Sequence, residues 1–266
     1  MTGHPELIEQ LTKGISNLTS SDEWQRYLDF QGKFHRYSFN NVLLIAAQRG
    51  DASQVAGFNA WKKMNRFVRK GEKAIWILAP MVYKKANARD GEDDRVIRGF
   101  KFVPVFDIAQ TDGEELPTVC NRLDGEDPGE HYAQLLGVAR SIGFTVDDHE
   151  FASSANGDCN HLTRCIRVEA RNTPAQRVKT LAHELAHAML HEKHDSRALA
   201  ELEAESVAYA VCKAFGIDAG EYSFGYLATW AGGGDEAIAA VKVLCHRIQD
   251  TVAAILGNRE SMAEVA

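Results

Sequence analysis

A histidine-rich segment of the 266-residue chain, TLAHELAHAMLHEKH (residues 180–194), contains the side chains most able to do chemistry. His183 and His187 are four positions apart and enclose Glu184, which gives the pattern His-Glu-x-x-His. Residues four apart on a helix lie on one face, about one turn apart, so the two imidazoles can converge on one cation. Glu184 is then placed to act on a metal-activated water. The pattern predicts a site that hydrolyses peptide bonds, with Glu184 as the general base.

A third metal ligand must come from another segment, because catalytic zinc sites of this type use three protein ligands. The segment ALAELEAESVAYAVC has Glu201 and Glu205 on one helical face, while Glu203 points roughly the opposite way. We predict Glu201 as the ligand and Glu205 as an acceptor for a histidine N–H, although the reverse assignment stays open. Zn²⁺ is the expected ion, but this ligand set also accepts other divalent metals such as Mn²⁺.

The two remaining histidines of the segment are not predicted to bind the ion. His191 lies eight residues beyond His183, about 12 Å along a helix axis, and cannot reach the same cation. We expect His191 to pack near the site or at its rim, and His194 to lie in a loop. The alternative for the whole segment is a solvated helix face, which does not explain why the motif is embedded in Leu and Ala.

Peptide hydrolysis also needs a place for the substrate and a stabiliser for the tetrahedral oxyanion. The predicted strand at 163–170 could pair with an extended peptide if it is a free sheet edge. Tyr222 and Tyr226 are candidates for the oxyanion stabiliser from their position in the sequence alone. The alternative is that both tyrosines are core or rim aromatics.

The helix that carries the motif has a start signal in the sequence. Thr173 precedes Pro174, and Gln176 follows three positions after Thr173, which is typical of an N-cap, a first helical residue and a capping box. A second helix is predicted over about residues 198–215. Upstream, HYAQLLGVARS predicts a helix, and GFTVDD and HLTRCIRVEA predict strands.

The chain divides into two predicted domains, 1–125 and 126–266, because the acidic segment 111–131 contains Pro and Gly and is typical of a linker. The first domain starts with helical patterns, followed by strand patterns at 74–84 and 98–110. The expected fold class is α+β: an N-terminal α+β domain and a mainly helical C-terminal domain with a small sheet.

Charge is unevenly distributed between the two parts. Residues 1–110 hold 17 Lys and Arg against 12 Asp and Glu, and the remaining residues hold 13 against 25. Cations interleaved with aromatic residues can bind phosphates and stack on bases. Aromatic residues are usually core residues and a run of charges is usually a solvated face, so composition alone favours that alternative over a nucleic-acid interface. The candidate DNA-binding residues are Arg36, Tyr37, Trp61, Lys62, Lys63, Arg66, Arg69, Lys70 and Lys73.

The composition favours a cytoplasmic protein that does not enter a membrane. The five cysteines are scattered and include no CxxC pair, which is typical of reduced thiols. No run approaches 18 apolar residues, and the first residues lack the layout of a signal peptide.

Five segments together resemble a known domain pairing. FHRYSFNNVLLIAAQ, GFNAWKKMNRFVRKGEKAIWILAP and FVPVFDIAQT resemble the N-terminal single-stranded-DNA-binding domain of ArdC-type antirestriction proteins. LAHELAHAMLH and ELEAESVAYAVC resemble the ImmA/IrrE-type zincin metallopeptidase domain, whose Glu-x-x-Ala helix maps onto Glu201 and Ala204. The resemblance implies a zincin-like peptidase fold, with a gluzincin-like zinc endopeptidase activity, joined to a sequence-independent ssDNA binder that is often carried on mobile genetic elements. It does not fix which residues contact DNA.

Three functions therefore stay open for this chain. The first is a zinc endopeptidase that ssDNA recruits to DNA-associated proteins. The second is a non-catalytic ssDNA-binding antirestriction protein with a structural metal site, because the resemblance does not make antirestriction depend on proteolysis. The third is an ImmA-like peptidase that cleaves a regulator.

Overall fold

The computed structural model describes residues 4–18, 20–84, 95–114, 128–193, 196–218 and 235–257. The fold is mixed α and β with two units, as the sequence predicts. The first unit comprises the described residues within 1–16 and 36–117, and the second those within 17–35 and 118–259. Among the described residues, no helix has both the length and the apolar character to cross a membrane.

The chain up to residue 114 forms three helices followed by a small α+β arrangement. β1 (Val55–Gly57), β4 (Arg95–Asp107) and β3 (Ile75–Lys84) form one antiparallel sheet in that order, and β2 (Arg66–Val68) pairs with β5 (Thr111–Gly113). The two long strands correspond to the predicted ones, whereas the three-residue strands of this part of the chain carry too little periodicity to predict. The elements are α1 (Pro5–Asn17), α2 (Ser21–Lys33), α3 (Phe39–Gln48), β1 (Val55–Gly57), α4 (Phe58–Lys63), β2 (Arg66–Val68), β3 (Ile75–Lys84), β4 (Arg95–Asp107), a 3-10 turn (Ile108–Gln110) and β5 (Thr111–Gly113).

Helix α3 covers the outer edge of β3 with two side-chain amides. Asn41 accepts from the Leu78 N–H at 2.8 Å and donates to the Leu78 carbonyl at 2.9 Å. Gln48, two turns later, makes the same pair of bonds with Trp76 at 2.9 and 2.8 Å. The backbone groups of an edge strand need partners, and these amides supply them in the way a neighbouring strand would.

Helix α2 belongs to the second unit, which differs from the predicted division at residue 125. Trp24 is fully buried, and its indole N–H donates to Ser206 at 3.1 Å. Tyr209 donates to Asp29 at 2.6 Å on the same pair of helices. The residues around 125 lie outside the described part of the chain. Burial of the Trp24 ring therefore joins α2 to the second unit, although it precedes the first unit's sheet.

The second unit holds a three-stranded sheet and the helix that carries the histidine motif. β8 (Cys165–Glu169) lies between β6 (Thr145–His149), which is parallel to it, and β7 (Gly157–Asn160), which is antiparallel to it. The strand at 163–170 could pair with a peptide only if it were a free edge, and this condition is not met, because β8 has a neighbour on each side. Among the described strands of this sheet, β6 and β7 are the edges. The elements are α5 (Pro128–Ser141), β6 (Thr145–His149), β7 (Gly157–Asn160), β8 (Cys165–Glu169), α6 (Pro174–Leu190), α7 (Arg197–Ala214) and α8 (Asp235–Ile255).

The predicted start of α6 is present in the structure. The Thr173 hydroxyl accepts from the Gln176 N–H at 3.3 Å, and Pro174 occupies the first helical position. The interior face of α6 includes Leu181 and Leu185, both fully buried. This packing fixes the rotation of α6 about its axis, and with it the direction in which the motif histidines point.

Candidate metal centre

Helices α6 and α7 bring three predicted ligands together. The Nε2 atoms of His183 and His187 are 3.0 Å apart. Glu201 Oε2 lies 3.4 Å from His183 Nε2 and 3.7 Å from His187 Nε2. Within the part of the chain that the structure describes, this is the one group of three His, Cys, Asp or Glu side chains close enough to hold an ion.

The three side chains fit a divalent metal in both spacing and chemistry. Ligands at roughly 2.1 Å from a tetrahedral ion stand about 3.4 Å from one another, close to the observed separations. Two imidazole nitrogens and one carboxylate oxygen form the ligand set of catalytic zinc sites, which leaves a position for water. The site is partly exposed, so an ion from solution can reach it.

Glu205 lies on the far side of His183, as expected for an acceptor that orients a ligand. Its Oε1 atom is 3.5 Å from His183 Nδ1, whereas Glu201 faces His183 Nε2. Burial lowers the pKa of His183, but the bond to Glu201 and the nearby carboxylates outweigh it, so the net pKa is raised. The histidines in turn hold the pKa of Glu201 far below its usual range.

Glu184 is 6% exposed and does not belong to the three-residue cluster. Burial raises the pKa of Glu184 to about 6, and the two motif histidines oppose part of that rise. Burial, with the Glu184 charge as a smaller cause, also raises the pKa of the Cys159 thiol to about 12. Cys159 therefore stays a neutral thiol, and Glu184 is a carboxyl group able to exchange a proton near neutral pH.

The absence of a side chain at Gly157 lets the edge strand β7 lie directly against Glu184. A Cβ atom at Gly157 would stand 2.9 Å from Glu184 Oε1 and 2.6 Å from Thr180 Cγ2. It would also stand 3.0 Å from the Arg167 carbonyl oxygen, so movement away from α6 is blocked by β8. Sequence reading missed this residue because a single glycine in a loop-rich segment carries no periodic signal.

Gly157→Ala is expected to destabilise the protein by about 1–3 kcal/mol and to displace the Glu184 carboxylate, because an added methyl overpacks this contact. Gly137→Ala is the matched control: it lies in α5, and its Cβ would meet nothing within 4 Å. That control should be neutral or slightly stabilising, since alanine favours a helix by roughly 1 kcal/mol over glycine. Urea unfolding of both variants checks this, and equal stability of Gly157→Ala and the parent chain would contradict it.

Three residues that were not predicted to act on the site form a chain behind His187. His191 Nδ1 lies 2.9 Å from His187 Nδ1, and His191 Nε2 lies 2.9 Å from Glu203 Oε2. Arg247 and Glu203 form an ion pair, with 3.1 Å between Arg247 Nε and Glu203 Oε1. The Arg247 N–H is not aligned for a hydrogen bond to that oxygen. Burial lowers the pKa of His191. The spacing of four residues between His187 and His191 is the sequence signal that could have identified this contact. Glu203 was expected to point away from the face of α7 that carries Glu201 and Glu205.

Three other residues named from the sequence lie outside the described residues. They are Tyr222, Tyr226 and His194.

Two of the predicted DNA-binding aromatics are core residues of the first unit. Trp61 is 0% exposed, and its indole N–H donates to the Phe106 carbonyl at 2.8 Å. Tyr37 is buried, and its hydroxyl donates to the Val55 carbonyl at 2.8 Å. Neither ring therefore offers a face on which a base could stack, and the aromatic–cation pattern was misread at these two positions.

The candidate DNA-binding cations differ in whether they already bond to other groups of the protein. Arg66 donates to Thr111 Oγ1 at 2.8 Å and to the Thr111 carbonyl at 3.1 Å. Arg69 pairs with Glu72 at 2.8 Å and with Asp112 at 3.3 Å. The remaining predicted cations are exposed: Arg36, Lys62, Lys63, Lys70 and Lys73. Phe67 was not among the candidate DNA-binding residues, although its ring is 56% exposed. In sequence it lies between Lys63 and Lys70.

Comparisons with known proteins match both parts of the chain. Residues 4–108 match the N-terminal domain of anti-restriction factor ArdC, and residues 143–212 match the IrrE N-terminal-like domain of the peptidase M78 family. The chain is 26% identical over 276 residues to an uncharacterized protein of Bacillus anthracis, pXO2-81. That alignment covers 87% of this chain and 47% of the relative, so the chain spans about half the length of this curated relative.

Two solved structures share the fold across most of the chain. They are the metal-free and the Mn(II)-bound crystal structures of antirestriction ArdC protein from the R388 plasmid. Each is 21% identical to this chain with a TM-score of 0.50. Each match covers 84% of this chain, and 85% and 84% of the two ArdC chains respectively.

Proposed function

We propose that this chain, which pairs an ArdC-type N-terminal domain with an IrrE-like M78 peptidase domain, is a metal-dependent endopeptidase that binds single-stranded DNA. The observation that carries the proposal is the convergence of His183, His187 and Glu201 on one point, with a buried Glu184 next to His183. A purely structural metal site has no need for a general base, so a buried Glu184 outside the ligand cluster favours catalysis.

We assign His183, His187 and Glu201 as the metal ligands and Zn²⁺ as the preferred ion, with Mn²⁺ as the alternative. A divalent ion held there would polarise a bound water and the scissile carbonyl. Glu205 faces the other ring nitrogen of His183 and holds that ring in orientation. The geometry supports Glu201 over Glu205 as ligand because Glu201 faces the Nε2 atoms of both histidines.

Glu184 has the burial required of a general base and acid. Its carboxylate would take a proton from the attacking water and pass it to the leaving amine. Such proton transfer is efficient when the pKa of the group lies near the working pH, and burial moves the pKa of Glu184 in that direction.

The edge strand β7 is the proposed docking site for an extended peptide. It pairs with β8 on one side only among the described strands, and its first residue, Gly157, lies beside Glu184 Oε1. A substrate that adds to this edge by backbone hydrogen bonds would pass next to the proposed general base. This placement replaces the strand at 163–170, which is internal to the sheet.

Cleavage of a quenched fluorescent random-peptide library tests the enzyme proposal. The Zn²⁺- or Mn²⁺-loaded chain should cleave the peptides, and the chelator-treated chain should not. In a second assay, a single-stranded oligonucleotide should enhance cleavage of DNA-bound proteins. Metal binding and ssDNA binding without any cleavage would overturn it in favour of a non-catalytic antirestriction protein. Cleavage that ignores ssDNA for every protein tested would favour an ImmA-like peptidase.

Binding of ssDNA is supported by exposed cations beside an exposed ring in the first unit. Phe58 and Lys62 lie four residues apart on α4, and Phe58 is 53% exposed. None of the lysines at 62, 63, 70 and 73 forms an ion pair with an acidic side chain that the structure describes. Free cations release counterions from a phosphate backbone, and exposed rings stack on bases of any sequence.

Replacing Lys62, Lys63, Lys70 and Lys73 one at a time by Gln is expected to weaken ssDNA binding at low salt. Each change should reduce the slope of log affinity against log salt by about 0.7, because each phosphate contact contributes that much on a single strand. Lys242→Gln, an exposed lysine on α8, is the matched control and should leave the slope unchanged. Fluorescence anisotropy with an oligonucleotide measures the slopes, and equal slopes in all five variants would sink the assignment.

The proposal also places the protein in the cytoplasm, where both DNA and reduced thiols are found. The described cysteines, Cys159, Cys165, Cys212 and Cys245, are free thiols. Free cysteines are typical of a reducing compartment, which supports this location.

A further inference from the structure

Three side chains, one from the end of α6 and two from other helices, stand in line behind the proposed ligand His187. His191 is the residue after α6, Glu203 lies in α7, and Arg247 lies in α8. His191 and Glu203 are buried, with Glu203 only 1% exposed. Arg247 also donates to the carbonyl of Leu190, the last residue of α6, at 3.2 Å. A buried carboxylate therefore faces an imidazole on one oxygen and a guanidinium on the other.

With both imidazoles neutral, the hydrogen-bonding capacities of these groups allow one assignment of ring protons. A carboxylate only accepts hydrogen bonds, so His191 must donate from Nε2 to Glu203 Oε2, 2.9 Å away. In a neutral imidazole the other nitrogen is then an acceptor, so His191 Nδ1 must accept from His187 Nδ1, 2.9 Å away. His187 consequently keeps its lone pair on Nε2, the atom that faces His183 and Glu201.

We propose that Glu203 and His191 are positioning residues that set the tautomer of His187 and so keep its Nε2 ready for a metal ion. The inference rests on the metal site of the proposed function but not on proteolysis. Metal-binding histidines usually donate their second N–H to a carboxylate or carbonyl, and here a second histidine stands between the ligand and the carboxylate. Arg247 supplies the positive charge that accompanies the buried carboxylate.

Histidine NMR of the metal-free chain tests the tautomers directly. Long-range proton–nitrogen spectra of ¹⁵N-histidine-labelled protein should show His187 protonated on Nδ1 and His191 protonated on Nε2. This readout needs neither metal binding nor activity, so it decides the inference even if the chain proves not to be a peptidase. A spectrum of the parent chain with His187 protonated on Nε2 would overturn the inference.

Glu203→Gln should reverse the chain of donors without changing the size of the side chain. The guanidinium of Arg247 attracts the amide oxygen and repels the amide NH₂, so the NH₂ faces His191 Nε2 and donates to it. His191 then protonates on Nδ1, and His187 must move its proton to Nε2. Metal affinity is expected to fall roughly 10- to 100-fold in a Zn²⁺ or Co²⁺ titration. Asp250→Asn, the same charge change at an exposed site on α8, should keep the parent affinity.

The double variant Glu203→Gln/Arg247→Met separates this role from a merely structural one. Without the guanidinium, the amide can turn its oxygen to His191 and restore the original tautomers, so metal affinity should recover several-fold above that of Glu203→Gln. If the pair only holds α8 against α6, the double variant should bind metal no better than the single one. Unchanged His187 tautomer and affinity within two-fold of the parent in Glu203→Gln would refute the proposal.

Discussion

Glu184→Gln is expected to lower the rate of peptide hydrolysis by roughly 10²- to 10⁴-fold, the usual contribution of a positioned acid–base group. The amide has the same shape but cannot accept the proton of the attacking water. Metal affinity should change little, because Glu184 lies outside the His183, His187 and Glu201 cluster. Initial rates on the peptide library and a Zn²⁺ titration of the same preparation measure the two quantities.

The matched control for this change is Glu192→Gln. Glu192 is exposed just beyond the end of α6, and its replacement alters net charge by the same amount. It should retain the parent rate. If Glu184→Gln also retains it, Glu184 is not the base, and another group must carry the proton. If cleavage disappears but a DNA-linked function survives intact, the peptidase is not what delivers that function.

Removal of a proposed ligand should abolish the stabilisation that a metal ion gives to the fold. An ion at 100 times its dissociation constant stabilises the native state by about 2.7 kcal/mol. For a chain of this size that corresponds to a rise in Tm of roughly 5–10 °C. His183→Ala and Glu201→Gln are expected to lose this rise, because a site with two protein ligands holds the ion far less tightly.

Glu205→Gln is the matched comparison for Glu201→Gln, since the two glutamates lie one turn apart on α7 and face different nitrogens of His183. It should weaken binding only by roughly 10- to 100-fold, so the Tm rise returns at higher metal concentration. Thermal unfolding with and without Zn²⁺, and again with chelator, measures all three variants. A Tm rise that survives in Glu201→Gln and vanishes in Glu205→Gln would reverse the assignment of the third ligand.

The local features of the motif helix could be predicted because their causes are local in sequence. The Thr173 cap, Pro174 and the four-residue spacing of His183 and His187 involve no contact more than four residues away. The face of Glu201 on α7 followed from helical periodicity once α7 was predicted. Each of these inferences used only backbone geometry and the chemistry of single side chains.

The features that could not be predicted depend on contacts between distant segments. Glu203 meets Arg247 across 44 positions because α7 packs with α8, and no pattern in either helix encodes that pairing. Composition likewise could not separate Trp61, whose ring is buried, from Phe67, whose ring is exposed. Both lie among lysines and arginines, and only the packing of α4 and β2 distinguishes them.

The membership of α2 in the second unit makes that unit discontinuous along the chain. Its first helix is synthesised before the whole sheet of the first unit, and the remainder follows later. A fragment that starts at the predicted boundary, near residue 126, would lack Trp24 and leave the α7 surface around Ser206 and Tyr209 open to solvent. Loss of a buried tryptophan typically costs about 3–5 kcal/mol. The peptidase-like half therefore cannot be excised with one cut; a minimal version needs residues 17–35 restored by a linker or supplied as a separate peptide.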